Sequence, residues 1–176
     1  MCRAVFLDRD GVLNRPEIRN RKPYAPRRLE DFRLLPRAGE SVRALKDAGY
    51  LVIVVTNQPD IGNGLTDPAA VQAMHEKLRK RVPVDEVRIC PHRQDADCPC
   101  RKPRPGMLLS AAADWDIDLH DSFLVGDRDG DIVAGRTAGC YTILINRRYS
   151  EPRTIGPDKC VRSLSAAVQH ILANNS

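Results

Sequence analysis

Phe6-Leu7-Asp8-Arg9-Asp10-Gly11-Val12-Leu13 places two carboxylates, two residues apart, where a short apolar run meets a glycine turn. The run Ala4-Val5-Phe6-Leu7 is typical of a buried strand in a parallel sheet, and such sheets bind ligands beyond the carboxyl ends of their strands. The pattern therefore predicts that Asp8 lies at a strand tip, in a phosphoryl-transfer site. On these residues alone a solvated acidic turn stays open as the alternative, because short motifs also match by accident.

Three further patterns follow along the chain. The strand-like Leu51-Val52-Ile53-Val54-Val55 ends in Thr56-Asn57-Gln58, Arg101-Lys102-Pro103 presents two cations in a proline-rich turn, and Phe123-Leu124-Val125 ends in Gly126-Asp127-Arg128-Asp129-Gly130-Asp131. Read singly, Thr56 is equally a capping hydroxyl and Lys102 a solvated surface cation. In this order the four patterns resemble the signature motifs of the haloacid dehalogenase-like phosphatases, from Val5 to about Gly139.

The resemblance implies a phosphatase that works in two steps. A phosphate monoester needs a nucleophile, neutralising charge and a proton for the leaving oxygen. Asp8 would attack phosphorus and form an aspartyl-phosphate. Asp10 would protonate the leaving oxygen and then activate the hydrolytic water.

The same resemblance assigns the ligands of metal and substrate. Oxygens of Asp8, the Asp10 carbonyl and Asp127 would bind Mg²⁺, with Asp131 orienting its waters. Thr56 and Lys102 would hold the phosphoryl oxygens. The other predicted substrate-binding residues are Tyr24, Asn57, Arg101 and Arg128.

A second cluster of metal-binding residues lies between Thr56 and Lys102. Cys90, His92, Cys98 and Cys100 follow the pattern Cys-x-His-x5-Cys-x-Cys after a strand-like segment. Three thiolates and one imidazole form a closed tetrahedral zinc set, which indicates a structural Zn²⁺ site. Unrelated free thiols are the alternative.

The remaining sequence indicates one phosphatase domain over residues 1–176. Strand and helix patterns alternate, which predicts a three-layer, Rossmann-like parallel α/β sheet. The expected helices are Gly39–Ala48, Asp67–Arg81, Met107–Asp114, Gly130–Ala138 and Ser163–Leu172, with a further strand at Tyr141–Ile145. We expect long irregular segments at Asn14–Pro36 and Pro59–Thr66. Met74, Leu78, Trp115 and Cys140 are predicted core residues.

Neither interval between the first three motifs has room for the cap domain that this family commonly inserts. We therefore expect an open, capless site covered by residues 14–28, residues 58–65 and the zinc-bound loop. The apolar run before Asp8 is too short for a signal peptide or a membrane helix, so we expect a cytoplasmic monomer without a membrane partner. The net charge of +5 suits a small anionic substrate, and aromatic residues make up only 5%.

Small capless phosphatases with such a zinc set include two families that the chain resembles. Residues 101–107 are similar to the D-glycero-D-manno-heptose-1,7-bisphosphate 7-phosphatases, and the short gap between His92 and Cys98 is similar to the histidinol-phosphate phosphatase domains. We favour the heptose bisphosphate, a small phosphorylated sugar, because a basic loop set suits a second phosphate better than an ammonium group. A non-enzymatic zinc module that binds nucleic acid is the remote alternative, and the aspartate motifs argue against it.

Overall fold

Six parallel strands form the central sheet of the computed structural model, which describes residues 1–174; residues 175 and 176, the end of the predicted domain, lie outside the described residues. The strands are β1 (Ala4–Leu7), β4 (Leu51–Asn57), β5 (Glu86–Cys90), β6 (Phe123–Gly126), β7 (Tyr141–Ile145) and β8 (Lys159–Val161). Their spatial order is β5-β4-β1-β6-β7-β8. From β1 the chain therefore builds outward through β4 and β5, then returns to place β6 beside β1. A parallel sheet binds ligands where its strand order reverses in this way, outside the carboxyl ends of the strands.

Two helical layers cover the faces of this sheet. The helices are α1 (Ala38–Asp47), α2 (Pro59–Gly62), α3 (Pro68–Arg79), α4 (Gly106–Trp115), α5 (Asp129–Ala138) and α6 (Leu164–Ala173). Val5 and Leu7 pack with residues of α1, α3 and α6, whereas Ala4 and Phe6 pack with residues of α4. Successive side chains of a strand point to opposite faces, so β1 is buried on both sides. The predicted three-layer α/β fold is confirmed.

The boundaries of the five predicted helices agree with the observed ones to within two residues. Asp67 caps α3 by accepting a hydrogen bond from the Ala69 N–H, and Ser163 caps α6 by accepting from the Ala166 N–H. Such caps satisfy backbone donors that have no partner within the helix. No helix within residues 1–174 is both long and apolar enough to cross a membrane.

Three segments differ from the sequence expectations. Within the supposedly irregular residues 14–36, β2 (Glu17–Arg19) and β3 (Lys22–Tyr24) form an antiparallel hairpin, and Leu29–Asp31 form a 3₁₀ turn. The loop predicted at 59–66 begins with α2, and β8 was not expected at all.

One of the four predicted core residues was placed wrongly. Met74 and Leu78 are fully buried and Cys140 is buried, but Trp115 is 40% exposed. Trp115 is the last residue of α4, and its indole N–H donates to Glu86 Oε2 at 2.7 Å. The indole N–H thus has its hydrogen-bond partner at the surface. A fully buried Trp115 would need a partner for this N–H inside the core.

Candidate active site

Three buried carboxylates meet at the carboxyl edge of the sheet. Asp8 follows β1, Asp127 follows β6, and Asp131 lies in the first turn of α5. One oxygen from each of the three lies within 4.8 Å of the others. Residues separated by more than a hundred positions in sequence meet here because β1 and β6 are neighbours in the sheet.

Lys102 lies among these carboxylates. Its buried Nζ donates to Asp8 Oδ1 at 2.8 Å, to Asp131 Oδ1 at 2.6 Å and to the Val55 carbonyl at 2.7 Å. Burial alone would lower the pKa of Lys102, but the charges of Asp131 and Asp8 raise it above its usual range. Lys102 is therefore a permanent ammonium at the site.

A single ammonium does not balance three carboxylates. Burial raises the pKa of Asp8 to about 6, although the Lys102 charge acts in the opposite direction. Burial, and then the neighbouring charges of Asp8 and Asp131, raise the pKa of Asp127 well above its ordinary value. Asp127 Oδ1 is also buried without a hydrogen-bond partner. The cluster is rich in oxygen ligands, carries excess negative charge and has one carboxylate oxygen without a hydrogen-bond partner. These properties fit a hard divalent cation such as Mg²⁺.

Asp131 also holds the backbone around Asp127. Its Oδ2 accepts from the N–H groups of Asp127 and Arg128 at 3.1 and 3.0 Å. Its other oxygen receives Lys102. Asp131 therefore links the start of α5 to Lys102. It is also a member of the carboxylate cluster, whereas the sequence analysis expected it only to orient the waters of the metal.

Asp10 lies outside the carboxylate cluster and has its own donors. Its carboxylate accepts from the Arg9 guanidinium at 3.0 and 3.1 Å, from Asn14 Nδ2 at 2.9 Å and from Gln58 Nε2 at 2.8 Å. Arg9 is completely buried, and its other terminal nitrogen meets His75 Nε2 at 3.0 Å. The side chain of Asp10 is thus held by several donors at the edge of the site.

Thr56 and Asn57 use their side chains within the protein. The buried Thr56 hydroxyl accepts from Gln58 Nε2 at 2.9 Å. Asn57 donates to the Lys102 carbonyl at 2.9 Å and accepts from the Lys102 N–H at 3.1 Å. The Asn57 side chain therefore fixes the backbone that carries Lys102, a use that the prediction of direct substrate binding did not include.

A cavity of about 740 Å³ opens above these groups. Asp8, Asp10 and Lys102 lie along its wall, together with Tyr24 from the hairpin and Arg101 from the loop before Lys102. Tyr24 is 41% exposed. The expected covering loops are all represented in the wall, but residues 150–152 and 154 contribute as well, and their contribution was not expected.

The two predicted substrate-binding arginines differ in their partners. Arg128 pairs with Glu151, with Nε donating to Oε2 at 3.1 Å. Within residues 1–174 neither Arg101 nor Lys22, which also lines the cavity, has an ion-pair partner. Lys22 and Arg101 are therefore the cations of the cavity wall that remain available to an anionic ligand.

Comparison with known proteins identifies the family. A HAD-hydrolase-like family model matches residues 99–167. A D-glycero-beta-D-manno-heptose-1,7-bisphosphate 7-phosphatase of Pseudomonas aeruginosa is 37% identical over 157 residues, covering 86% of this chain and 85% of that protein. The chain belongs to the haloacid dehalogenase-like phosphatases. The predicted enzyme class, a phosphoric monoester hydrolase, is thereby confirmed.

Two other members of the family are similar over most of their length. A D-glycero-alpha-D-manno-heptose-1,7-bisphosphate 7-phosphatase of Burkholderia mallei is 40% identical over 155 residues, covering 81% of this chain and 79% of that protein. The crystal structure of D,D-heptose 1.7-bisphosphate phosphatase from B. bronchiseptica, complexed with magnesium and phosphate, matches with a TM-score of 0.84 and 30% identity. It covers 97% of this chain and 98% of that chain.

This phosphatase also brings together the four residues of the predicted zinc site. Cys90 Sγ lies 3.7 Å from Cys98 Sγ and 3.5 Å from His92 Nδ1, and His92 Nδ1 lies 3.2 Å from Cys100 Sγ. A disulfide would need sulfurs about 2.05 Å apart, so these thiols are not bonded to each other. Tetrahedral coordination with Zn–S bonds of about 2.3 Å places sulfurs about 3.8 Å apart, which the cluster fits.

Several functional neighbours in this phosphatase were not found from the sequence. Arg9 lies between the two aspartates and was not predicted to have a role, although its guanidinium is the charged partner of Asp10. Gln58 belongs to the motif Thr56-Asn57-Gln58 but was given no role, and His75 lies in no motif. Tyr149, whose hydroxyl donates to Asp127 Oδ2 at 2.7 Å, comes from the segment after β7, which contains no family signature.

Proposed function

We propose that the chain is a Mg²⁺-dependent phosphatase that removes the 7-phosphate of D-glycero-D-manno-heptose 1,7-bisphosphate through an aspartyl-phosphate on Asp8. The observation that carries the chemistry is the buried Asp8–Asp127–Asp131 cluster around Lys102, with Asp127 Oδ1 unpartnered. The substrate rests on the relatives, which are named for this reaction.

Each step assigns a bond change to residues of this chain. A carboxylate oxygen of Asp8 forms a bond to phosphorus as the bond from phosphorus to the sugar oxygen breaks. Asp10, the counter-ion of Arg9 in the free protein, takes up a proton with the substrate and gives it to that leaving oxygen. The resulting Asp10 carboxylate then takes a proton from water, which attacks phosphorus and releases Asp8 with inorganic phosphate. Lys102 provides positive charge beside the attacking oxygen throughout.

Asp8, the Asp10 carbonyl and Asp127 would hold Mg²⁺, and Asp131 would hold it directly or through its waters. When bound, the ion would offset the charge shared by carboxylates and phosphate and orient the phosphoryl group. Asn57 serves the reaction by fixing the backbone of Lys102. Thr56 stays a proposed phosphate ligand through the backbone and hydroxyl at its strand end.

A second phosphate would meet Lys22 and Arg101 on the cavity wall. The sequence analysis also predicted Arg128 as a substrate-binding residue. In the structure Arg128 pairs with Glu151, which reduces the positive charge that Arg128 offers to a second phosphate. Tyr24 beside them presents an exposed ring to the sugar. Histidinol phosphate is the weaker candidate, since its ammonium group would face these two cations.

We further propose Zn²⁺ as the resident ion of the Cys90, His92, Cys98 and Cys100 cluster. Three thiolates and an imidazole leave no open position for water, so the ion would serve folding rather than hydrolysis. The expected monomer stays a prediction. The cytoplasmic location stays a prediction.

A substrate panel tests the assignment. We expect phosphate release to require Mg²⁺, to disappear in Asp8→Asn, and to rank by kcat/KM as heptose bisphosphate, then 7-monophosphate, then histidinol phosphate. Arg101→Ala should lower kcat/KM for the bisphosphate about ten- to a hundredfold, which corresponds to a loss of about 1.5–3 kcal/mol of binding free energy in the transition state. The effect on the monophosphate should be smaller.

Arg136→Ala is the matched control, because the exposed Arg136 pairs with Asp158 outside the cavity wall. A kcat/KM for histidinol phosphate equal to that for the bisphosphate would contradict the substrate. Full activity of Asp8→Asn would contradict the mechanism.

A further inference from the structure

Residues 147–154, which follow β7 and which we call the strap, cross the carboxyl edge of the sheet beside the carboxylate cluster. The Arg147 guanidinium donates twice to the Gly11 carbonyl, at 3.0 and 2.8 Å. At the far end, Thr154 donates through its N–H and hydroxyl to Asp129, at 2.9 and 2.6 Å. The strap is thus tied to the turn after β1 and to the start of α5.

Between these two ties, the strap places one side chain on the carboxylate cluster. The Tyr149 hydroxyl donates to Asp127 Oδ2 at 2.7 Å, while Asp127 Oδ1 is buried without a partner. A phenol donates one hydrogen bond, so it occupies one carboxylate oxygen and leaves the other for a cation. This bond fixes the rotation of the Asp127 carboxylate.

The turn after Asp10 leaves room for this contact. Gly11 adopts a φ of +91°, and a Cβ there would lie 1.8 Å from Asp127 Oδ2 and 3.0 Å from the Tyr149 hydroxyl. Only glycine fits both the backbone conformation and the space. The Arg147 guanidinium holds the Gly11 turn against the strap. This contact and the Tyr149–Asp127 hydrogen bond therefore both keep the strap beside the carboxylate cluster.

We propose that Tyr149 is a positioning residue of the magnesium site, which orients Asp127 so that Oδ1 faces the ion. The inference rests on the proposed function, because it requires that the carboxylate cluster binds Mg²⁺. Groups that orient the first ligands of a metal contribute about 10- to 100-fold to its affinity. Tyr149→Phe keeps the ring and removes only the hydroxyl, so it should weaken Mg²⁺ binding within this range without unfolding the protein.

Calorimetric titration of Mg²⁺ into the purified protein, without substrate, tests the proposal. We expect the Kd to rise about 10- to 100-fold in Tyr149→Phe. Saturating Mg²⁺ should restore most of the kcat for the heptose bisphosphate, since Tyr149 does not line the cavity above Asp8. Tyr141→Phe is the matched control, because its hydroxyl contacts His170 and lies outside the cavity.

The outcomes separate the two proposals. A wild-type protein that binds Mg²⁺, together with a Tyr149→Phe variant of unchanged Kd, would overturn the role of Tyr149 alone. A kcat that stays low at saturating Mg²⁺ would overturn it too, because the residue would then act on another step. A wild-type protein that binds no Mg²⁺ would overturn the magnesium site and this inference with it.

Discussion

Asp8 and Asp10 lie two residues apart, yet their carboxylates have different partners. Asp8 shares Lys102 with Asp131, and one of its oxygens lies within 4.8 Å of an oxygen of Asp127. Asp10 receives the fully buried Arg9 and two amide donors. The first carboxylate is therefore crowded by negative charge, whereas the second is the counter-ion of a buried cation.

This difference predicts opposite effects of two isosteric substitutions on stability. Without Mg²⁺, Asp8→Asn should raise the melting temperature, because an amide removes one charge from an over-negative cluster. Asp10→Asn should lower the free energy of unfolding by about 2–4 kcal/mol, because it leaves Arg9 buried without a charged partner. Both variants should lose activity, and loss of a general acid costs about 10²- to 10⁴-fold.

Thermal unfolding at pH 8 checks this contrast, with Asp121→Asn as the control at an exposed carboxylate. A lower melting temperature in Asp8→Asn than in wild type would show that its bond to Lys102 outweighs the repulsion.

At this scale the sequence predicts residues that belong to motifs and misses their partners. Asp8, Lys102 and Asp127 each follow a recognisable strand end or turn, so their meeting could be predicted. Tyr149 could not, because its role depends on the path that the chain takes after β7. A buried arginine between two aspartates has no sequence signal that separates it from a solvated one.

At the scale of elements, the missed hairpin shows why short strands escape pattern analysis. Asn20 and Arg21 form its turn with φ values of 50° and 60°. A two-residue turn with both φ values positive typically has Gly at the second position. Because Arg21 occupies that position, the sequence does not indicate the turn. Pro23 within β3 also argues against a strand, although an edge strand tolerates it. β8 is only three residues long and shows no usable alternation.

The loop of the proposed zinc site ends directly before Arg101 and Lys102, so its order should matter for the proposed activity. Arg104 donates to the Cys98 carbonyl at 2.8 Å, and Asn57 holds the Lys102 backbone. Cys98→Ser should abolish zinc retention and lower kcat for the heptose bisphosphate by about 10²-fold, because displacement of a catalytic group by about 1 Å costs this much.

Elemental analysis should find about one zinc per wild-type chain and none in Cys98→Ser. Cys160→Ser, at an exposed cysteine outside the cluster, should change neither quantity. Wild-type protein purified without chelator and free of zinc would contradict the zinc assignment. A zinc-free Cys98→Ser variant with full kcat would contradict the coupling to Lys102.

At the scale of the whole molecule, topology assembles the site. The strand–helix alternation predicted a parallel sheet, and the order β4-β1-β6 brings three chain segments to one edge. The four motifs therefore predicted the centre of the cavity. The outer wall depends on the hairpin and the strap, whose paths no periodic pattern encodes, and this explains why chemistry was easier to predict than substrate contacts.

The packing of α3 against the site gives a stability that depends on pH. Burial, and then the Arg9 charge, lower the pKa of His75 in α3 to about 4, against the opposing charge of Asp10. Arg79 is the other charged group that acts on it, also lowering the pKa. The ordinary value is 6.5, so between these two values the unfolded chain binds a proton that the folded protein does not. Stability should therefore fall as the pH falls through this window, by about 2 kcal/mol between about pH 7 and pH 5.

His75→Gln isolates this contribution, because glutamine keeps an acceptor for Arg9 and does not titrate. Chemical denaturation at both pH values should show that wild type loses about 2 kcal/mol more than His75→Gln on acidification. Zinc release and the carboxylates affect both proteins alike, so the difference reports His75. His120→Gln, at an exposed histidine, should follow wild type. Parallel profiles for wild type and His75→Gln would mean that Arg9 does not keep His75 neutral, and the buried contact that supports Asp10 would need another explanation.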